Sequence, residues 1–299
     1  MQTIPRRVYK FRRSIGIVKV IKESATDLIK EFKIQGKLTN DFLTKAGIHD
    51  WLYEDAQKQR EAKKGEKIEV KKFNLPEKEL ERQTEKWLTV VKPSHDRMAN
   101  KLLNAHKKAG NVGGQKALRD MGIGNISFNL QNKKMVSRFK SRGVKITGIV
   151  AQNTLKRFRK ILIKGYYELG EDPRVVKKII EDLFEKTYKN RAWTIAKTET
   201  AIAQSETQHE TYVENNVKMR SWLAIDDGKT RSSHLTFMQR QSPRRIDVPF
   251  KNPVTGGTIM YPHDPSGPAE EVINCRCDEV VESFYKGQKP TKDEVWSGK

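Results

Sequence analysis

Cysteine is nearly missing from this 299-residue chain, where Cys275 and Cys277 are the only two. A C-x-C pair is too close to serve as an ordinary loop-closing staple, which excludes a disulfide-built secreted domain and points to a reducing cytosol. Long apolar runs are missing too: no stretch approaches the ~18 residues of a membrane-spanning helix, so no membrane partner is expected. The basic start, Met1 to Arg13, lacks the apolar run and small-residue cleavage site of a secretory signal. Gly110, Gly113, Gly114, Gly122 and Gly124 follow no predicted strand, so they form no phosphate-binding fingerprint and read as an irregular joint. Neither a nucleophile elbow nor an H-E-x-x-H pattern occurs, and no enzymatic activity is expected.

What the chain does have is positive charge, with 59 Lys and Arg against 37 Asp and Glu and a formal net of +22. Residues 1–190 carry all of this excess, and residues 191–299 are neutral. A field of that size favours a polyanion such as nucleic acid, or an acidic protein surface. The densest stretch is 133–164, where Lys133, Lys134, Arg138, Lys140, Arg142, Lys145, Lys156, Arg157, Arg159, Lys160 and Lys164 occur without a single acid. These eleven are the candidate nucleic-acid contacts, made to phosphates and indifferent to sequence.

Periodicity divides the chain. Residues 1–22 alternate basic and apolar types and read as an N-terminal arm, followed by a helical region over 23–124 and a basic helical region over 125–216. Helices are expected over Asp27–Phe32 and Asp41–Lys64, then from about Pro76 to Val91. Pro93 interrupts before a further stretch, Ser94–Ala109. Lys- and Glu-rich residues 62–78 read as a linker. Thr147 is expected to cap a helix ending near Leu169 and Gly170, and Asp172-Pro173 opens the next. Another helix is expected from about Arg191 to Asn215. Beyond Asn216, short apolar runs separated by Gly and Pro predict a small loop-rich module over 217–285, then a polar tail over 286–299. The fold class is therefore α+β: a basic, mainly helical N-terminal region followed by a small β-containing module.

That module holds the residues that could carry chemistry. A small module with no disulfide is a natural place for a metal staple, and His234, Cys275 and Cys277 are donors that zinc prefers. Asp226, His263 or Asp278 could supply a fourth ligand. The alternative is that the two cysteines are packing residues of a strand and His234 is hydrogen-bonded to a carboxylate; both readings stay open. From a different class comes a metal-dependent hydrolase or nuclease using Asp226, Arg231, His234, Cys275 and Cys277, with His234 as general base, Arg231 stabilising an anion and Glu199 able to join.

Three blocks carry a family resemblance. They are Arg191-Ala-Trp-Thr-Ile-Ala-Lys-Thr198-Glu199; Trp222, Asp226, Thr230, Arg231 and His234; and the run from Tyr261 through Asp264 to Asn274-Cys275-Arg276-Cys277. In order and spacing they resemble the tailed-phage minor head, or head morphogenesis, proteins related to the F protein of phage Mu and its SPP1 counterpart, over roughly residues 150–280. The family usually has an Asp-Gly pair after His234, where this chain reads Leu235-Thr236, and often Gly at the position of His263. The resemblance implies a virion component present in few copies at the capsid interior or portal vertex and assembled in the host cytoplasm. It would act in head assembly and in genome packaging or ejection. Its implied partners are the portal protein, packaged double-stranded DNA, and scaffold or major capsid protein. Relatives with additional cysteines in the second block make a structural zinc more plausible.

Overall fold

The computed structural model describes residues 15–62, 77–123, 127–184, 188–226, 228–253 and 255–282. The first 14 residues of the expected arm, most of the expected linker and the tail lie outside the described residues. The chain is α+β, with a mainly helical N-terminal part and a small antiparallel sheet module near its C-terminal end. It forms two compact units, one within Met1–Glu23, Asn104–Val136 and Thr194–Lys299, the other within Ser24–Leu103 and Ser137–Trp193. The segments composition suggests run consecutively, whereas these units alternate along the chain.

Helix α1 spans Ile15–Lys45. Ile15 to Ile21, the apolar end of the expected arm, are therefore helical: Ile17, Val20 and Ile21 are buried at helical spacing. Ala25, Leu28, Phe32 and Leu43 continue the stripe. Gly47, in the left-handed region at φ 64, separates α1 from α2 (Ile48–Ala62).

The second surprise is α3, a single helix over Glu77–Asp120 that contains Pro93 and all three of Gly110, Gly113 and Gly114. Proline deletes one backbone donor, but Trp87, Val91, Ser94, Met98 and Leu102 keep one buried face across it. In the helical unit Trp87 donates to Thr39 Oγ1 (2.9 Å) and stacks on Phe158 with ring centroids 6.4 Å apart.

Helix α4 spans Lys133–Leu162 and runs on as a π-helical turn, Ile163–Leu169, closed as expected by left-handed Gly170. Its N-cap is Asn132, whose Oδ1 accepts from the amides of Lys134 (3.0 Å) and Met135 (3.2 Å). Thr147 is instead buried mid-helix, with its hydroxyl turned back on the carbonyls of Gly143 and Val144. Asp172 caps α5 (Pro173–Asp182) by accepting from the Arg174 amide at 2.8 Å.

In the other unit, α6 (Tyr188–Glu214) enters at Thr194 and is buried on nearly all sides between Ala196 and Tyr212. Gly113 lets the end of α3 pass against it: a Cβ there would lie 2.0 Å from the Gln204 carbonyl oxygen. Strand β1 (Met219–Leu223) is central in a three-stranded antiparallel sheet, between β2 (Arg244–Arg245) and β5 (Asp278–Val281). The register pairs Leu223 with Asp278 and Arg220 with Val281. A separate ribbon pairs β3 (Phe250–Lys251) with β4 (Thr258–Ile259). The short helix α7 (Ala269–Val272) leads into β5. Trp222, Ala224, Met238, Phe250, Ile259, Cys275 and Cys277 form the apolar centre of this module.

Sheet and helix are tied by a buried ion cluster. Arg220, fully buried, places Nε 2.8 Å from Glu279 Oε1, and His209 of α6 reaches the same oxygen at 3.0 Å. Burial pulls the Arg220 guanidinium down to about 10, with the Glu279 charge opposing the fall.

Candidate metal centre

The last of the three sequence blocks is bent into shape by two residues with positive φ. His263 sits at φ 68 and Asn274 at φ 56, a region asparagine tolerates better than most residues. Asn274 follows α7 and turns the chain so that Cys275 and Cys277, two residues apart, both face inward. Asp264 holds the preceding turn, accepting from the amides of Met260 (2.8 Å) and Ser266 (2.9 Å). The Asn274 amide donates to Thr198 on α6 at 3.3 Å, which fixes the turn against the helix.

His234 opens a π-helical turn, His234–Met238, on the other side of the module. Its Nδ1 lies 3.2 Å from Cys277 Sγ and 3.6 Å from Cys275 Sγ. One donor atom from each of the three residues falls within 4.8 Å of the others, and all three side chains are buried. The opposite ring nitrogen, Nε2, is 2.6 Å from Glu271 Oε2. That carboxylate is itself held: Ser233 donates to Oε2 at 3.4 Å and Asn252 Nδ2 donates to Oε1. The tautomer that donates from Nε2 to Glu271 would present its Nδ1 lone pair to the two sulfurs. The Trp222 ring stands edge-on to the imidazole, centroids 5.2 Å apart, and walls the group from water.

The hydrogen bond from Cys277 pulls Cys275 well below the usual thiol range, against the effect of burial. The same bond and burial together push Cys277 up. Cys275 Sγ also receives the Cys277 amide at 3.5 Å.

The other candidates go elsewhere. Asp226 is exposed and lies outside the group. His263 has both nitrogens engaged, Nδ1 with Ser205 at 3.0 Å and Nε2 donating to the Cys275 carbonyl at 2.9 Å. Asp278 pairs with Lys116 at 3.3 Å. Arg231 donates to the Ile273 carbonyl and Arg276 to Thr230 Oγ1 at 3.2 Å, so both brace the loops. Glu199 meets buried His106 at 3.2 Å. Arg191, in the helical unit, has its guanidinium 5.8 Å from the Tyr188 ring centroid. Sequence reasoning did not single out Glu271 and Asn252 as part of this group: they stand 37 and 18 residues from His234 with no spacing rule to connect them.

In the helical unit, α4 displays Arg138, Lys140, Lys145, Lys156, Arg157 and Lys160 as exposed side chains, with Lys164 on the π-helical turn and Arg142 and Arg159 half-buried. Lys133 and Lys134 are exposed at its start, in the other unit. Arg138, Arg142, Lys145, Lys156 and Lys160 recur at spacings of 4, 3, 11 and 4, which places them on one face about 33 Å long.

Residues 156–280 match the family model described as Phage Mu protein F like protein. The chain is also similar to an uncharacterised protein, YqbB, of Bacillus subtilis (strain 168), at 26% identity over 174 residues. That alignment covers 56% of each chain, so the chain spans a little over half the length of this curated relative. No solved structure matches the chain. Among the described residues, no helix is long and apolar enough to cross a membrane.

Proposed function

Taking residues 156–280 as a domain of the phage Mu F type, we propose that this chain is a minor head protein of a tailed phage. The family is one of phage head morphogenesis, and a virion component is the role it supports. The finer reading is a protein at the portal vertex or capsid interior, assembled in the host cytoplasm, that contacts the portal protein and the packaged DNA. It would act while the head is built and the genome is packaged or ejected.

The observation that carries the DNA half is the face of α4. It offers four exposed cations and the half-buried Arg142 along about 33 Å, roughly one turn of duplex, on a helix without an acidic residue. Phosphate contacts from lysine and arginine carry no sequence information, as expected of a protein that meets every part of a genome. The family match supports the coarser reading, a head-morphogenesis protein. Among the described residues Asp226 stands outside the group formed by His234 and the two cysteines, and His234 is buried, which favours the head-protein reading over the hydrolase alternative.

The test is deletion of the coding sequence from the phage genome that carries it. The expected result is particles with reduced DNA filling or infectivity, restored by the wild-type gene in trans. Normal titre and normally filled heads without the protein would overturn the proposal.

A further inference from the structure

We propose that His234, Cys275 and Cys277 bind one zinc ion through Nδ1 and the two sulfurs, and that this ion staples the C-terminal module. Such a site follows from local chemistry and is independent of the head-protein reading.

A tetrahedral zinc with a nitrogen at about 2.1 Å and a sulfur at about 2.3 Å sets those two atoms about 3.6 Å apart. The observed nitrogen–sulfur separations are 3.2 and 3.6 Å, and all three donor atoms lie within 4.8 Å of one another, so small shifts bring them to the ion. Zinc displaces one proton from each thiol to solvent, and two thiolates with a neutral imidazole then cancel its charge. A neutral centre of this kind can be buried. The donor set argues against calcium and magnesium, which take oxygen ligands, and three donors fall short of the four cysteines of an ordinary iron–sulfur cluster.

The surroundings fit the same assignment. A metal-bound histidine characteristically donates its other ring N–H to a carboxylate, which fixes the tautomer and raises its basicity. Glu271 does this for His234, and Asn252 and Ser233 hold Glu271 in turn. The Cys277 amide directed at Cys275 Sγ would stabilise a thiolate. Finally, the strands of this module are two to five residues long, little core for a fold without a disulfide. The ion ties the loop before His234 to the turn after α7. Among the described residues no fourth protein donor joins the group, which leaves one position for water.

The experiment is elemental analysis of the purified full chain, followed by removal of metal and refilling with cobalt(II). One zinc per chain is expected. The cobalt form should show thiolate-to-metal charge transfer and the intense visible bands of a four-coordinate ion, a readout that needs no substitution. Glu271→Gln should keep the stoichiometry and weaken affinity about 10- to 100-fold in chelator competition. Cys275→Ser with Cys277→Ser should abolish binding. The proposal is overturned if folded wild-type protein takes up no zinc or cobalt on dialysis, if cobalt binds without thiolate charge transfer, or if the double serine variant binds as before.

Discussion

The basic face of α4 makes a quantitative prediction. If Arg138, Arg142, Lys145, Lys156 and Lys160 each neutralise one phosphate, the logarithm of duplex affinity falls against the logarithm of salt with a slope of about −4.5. Between about 50 and 200 mM salt the affinity drops about 500-fold. Replacing Lys156 and Lys160 with Ala removes two contacts, leaving a slope of about −2.7 and a drop of about 40-fold over the same range. The variant is therefore weakened most at low salt, and the two curves approach each other as salt rises. Lys156 and Lys160 are exposed, so stability should change by no more than about 0.5 kcal/mol. The assay is fluorescence anisotropy of two unrelated duplexes, long enough to cover the helix, across a salt series. An equal slope in wild type and variant would refute the assignment of these residues. Affinities that differ more than about tenfold between the two duplexes would refute the claim of sequence indifference.

Three further outcomes follow from packing and charge. Glu279→Gln leaves the Arg220 guanidinium buried without its counter-charge and should cost about 3–5 kcal/mol in urea unfolding, whereas a loss under about 1 kcal/mol would show that the pair is dispensable. His49 is buried beside Tyr166 and near Lys177, and burial first, then the lysine, lowers it from 6.5 to about 4. The folded state thus keeps it neutral where the unfolded state takes a proton, so stability should fall by about 2 kcal/mol from pH 7 to pH 5. His49→Gln should lack that component, and an unchanged pH slope in the variant would assign the loss elsewhere. Gly113→Ala would stabilise an ordinary exposed helix by about 1 kcal/mol. Here the new methyl meets the Gln204 carbonyl oxygen, so a loss of about 3 kcal/mol of unfolding free energy is expected in urea, and a gain would contradict the close approach of α3 and α6.

Much of the architecture was legible because it rests on local signals. Asp172-Pro173 and Gly170 mark helix ends through backbone geometry that only a few residues favour, and both did so here. Signals that a helix can override were misleading. Thr147 resembles a cap, but a threonine hydroxyl can equally bond back to the preceding turn, and Asn132 held the real start. The glycines at 110, 113 and 114 look like a joint, yet within α3 they lie in a continuous helix, where Gly113 lets a second helix approach. The region of α6 within Thr194–Glu214 is rich in Thr, Glu and Gln and shows no apolar stripe, although it is buried. Several of its polar groups meet distant partners, His106, His263 and Glu279 among them, which no periodicity can reveal. The histidine and two cysteines were visible from their donor chemistry. Glu271 and Asn252 became visible only when the fold brought them beside His234.

The head-protein account is tested most directly by quantitative mass spectrometry of purified phage particles, with soluble host proteins removed by gradient sedimentation. The account predicts peptides of this chain in DNA-filled heads, at few copies relative to the major capsid protein and in constant ratio to the portal protein. Particles that are complete and infectious yet free of this chain would contradict it.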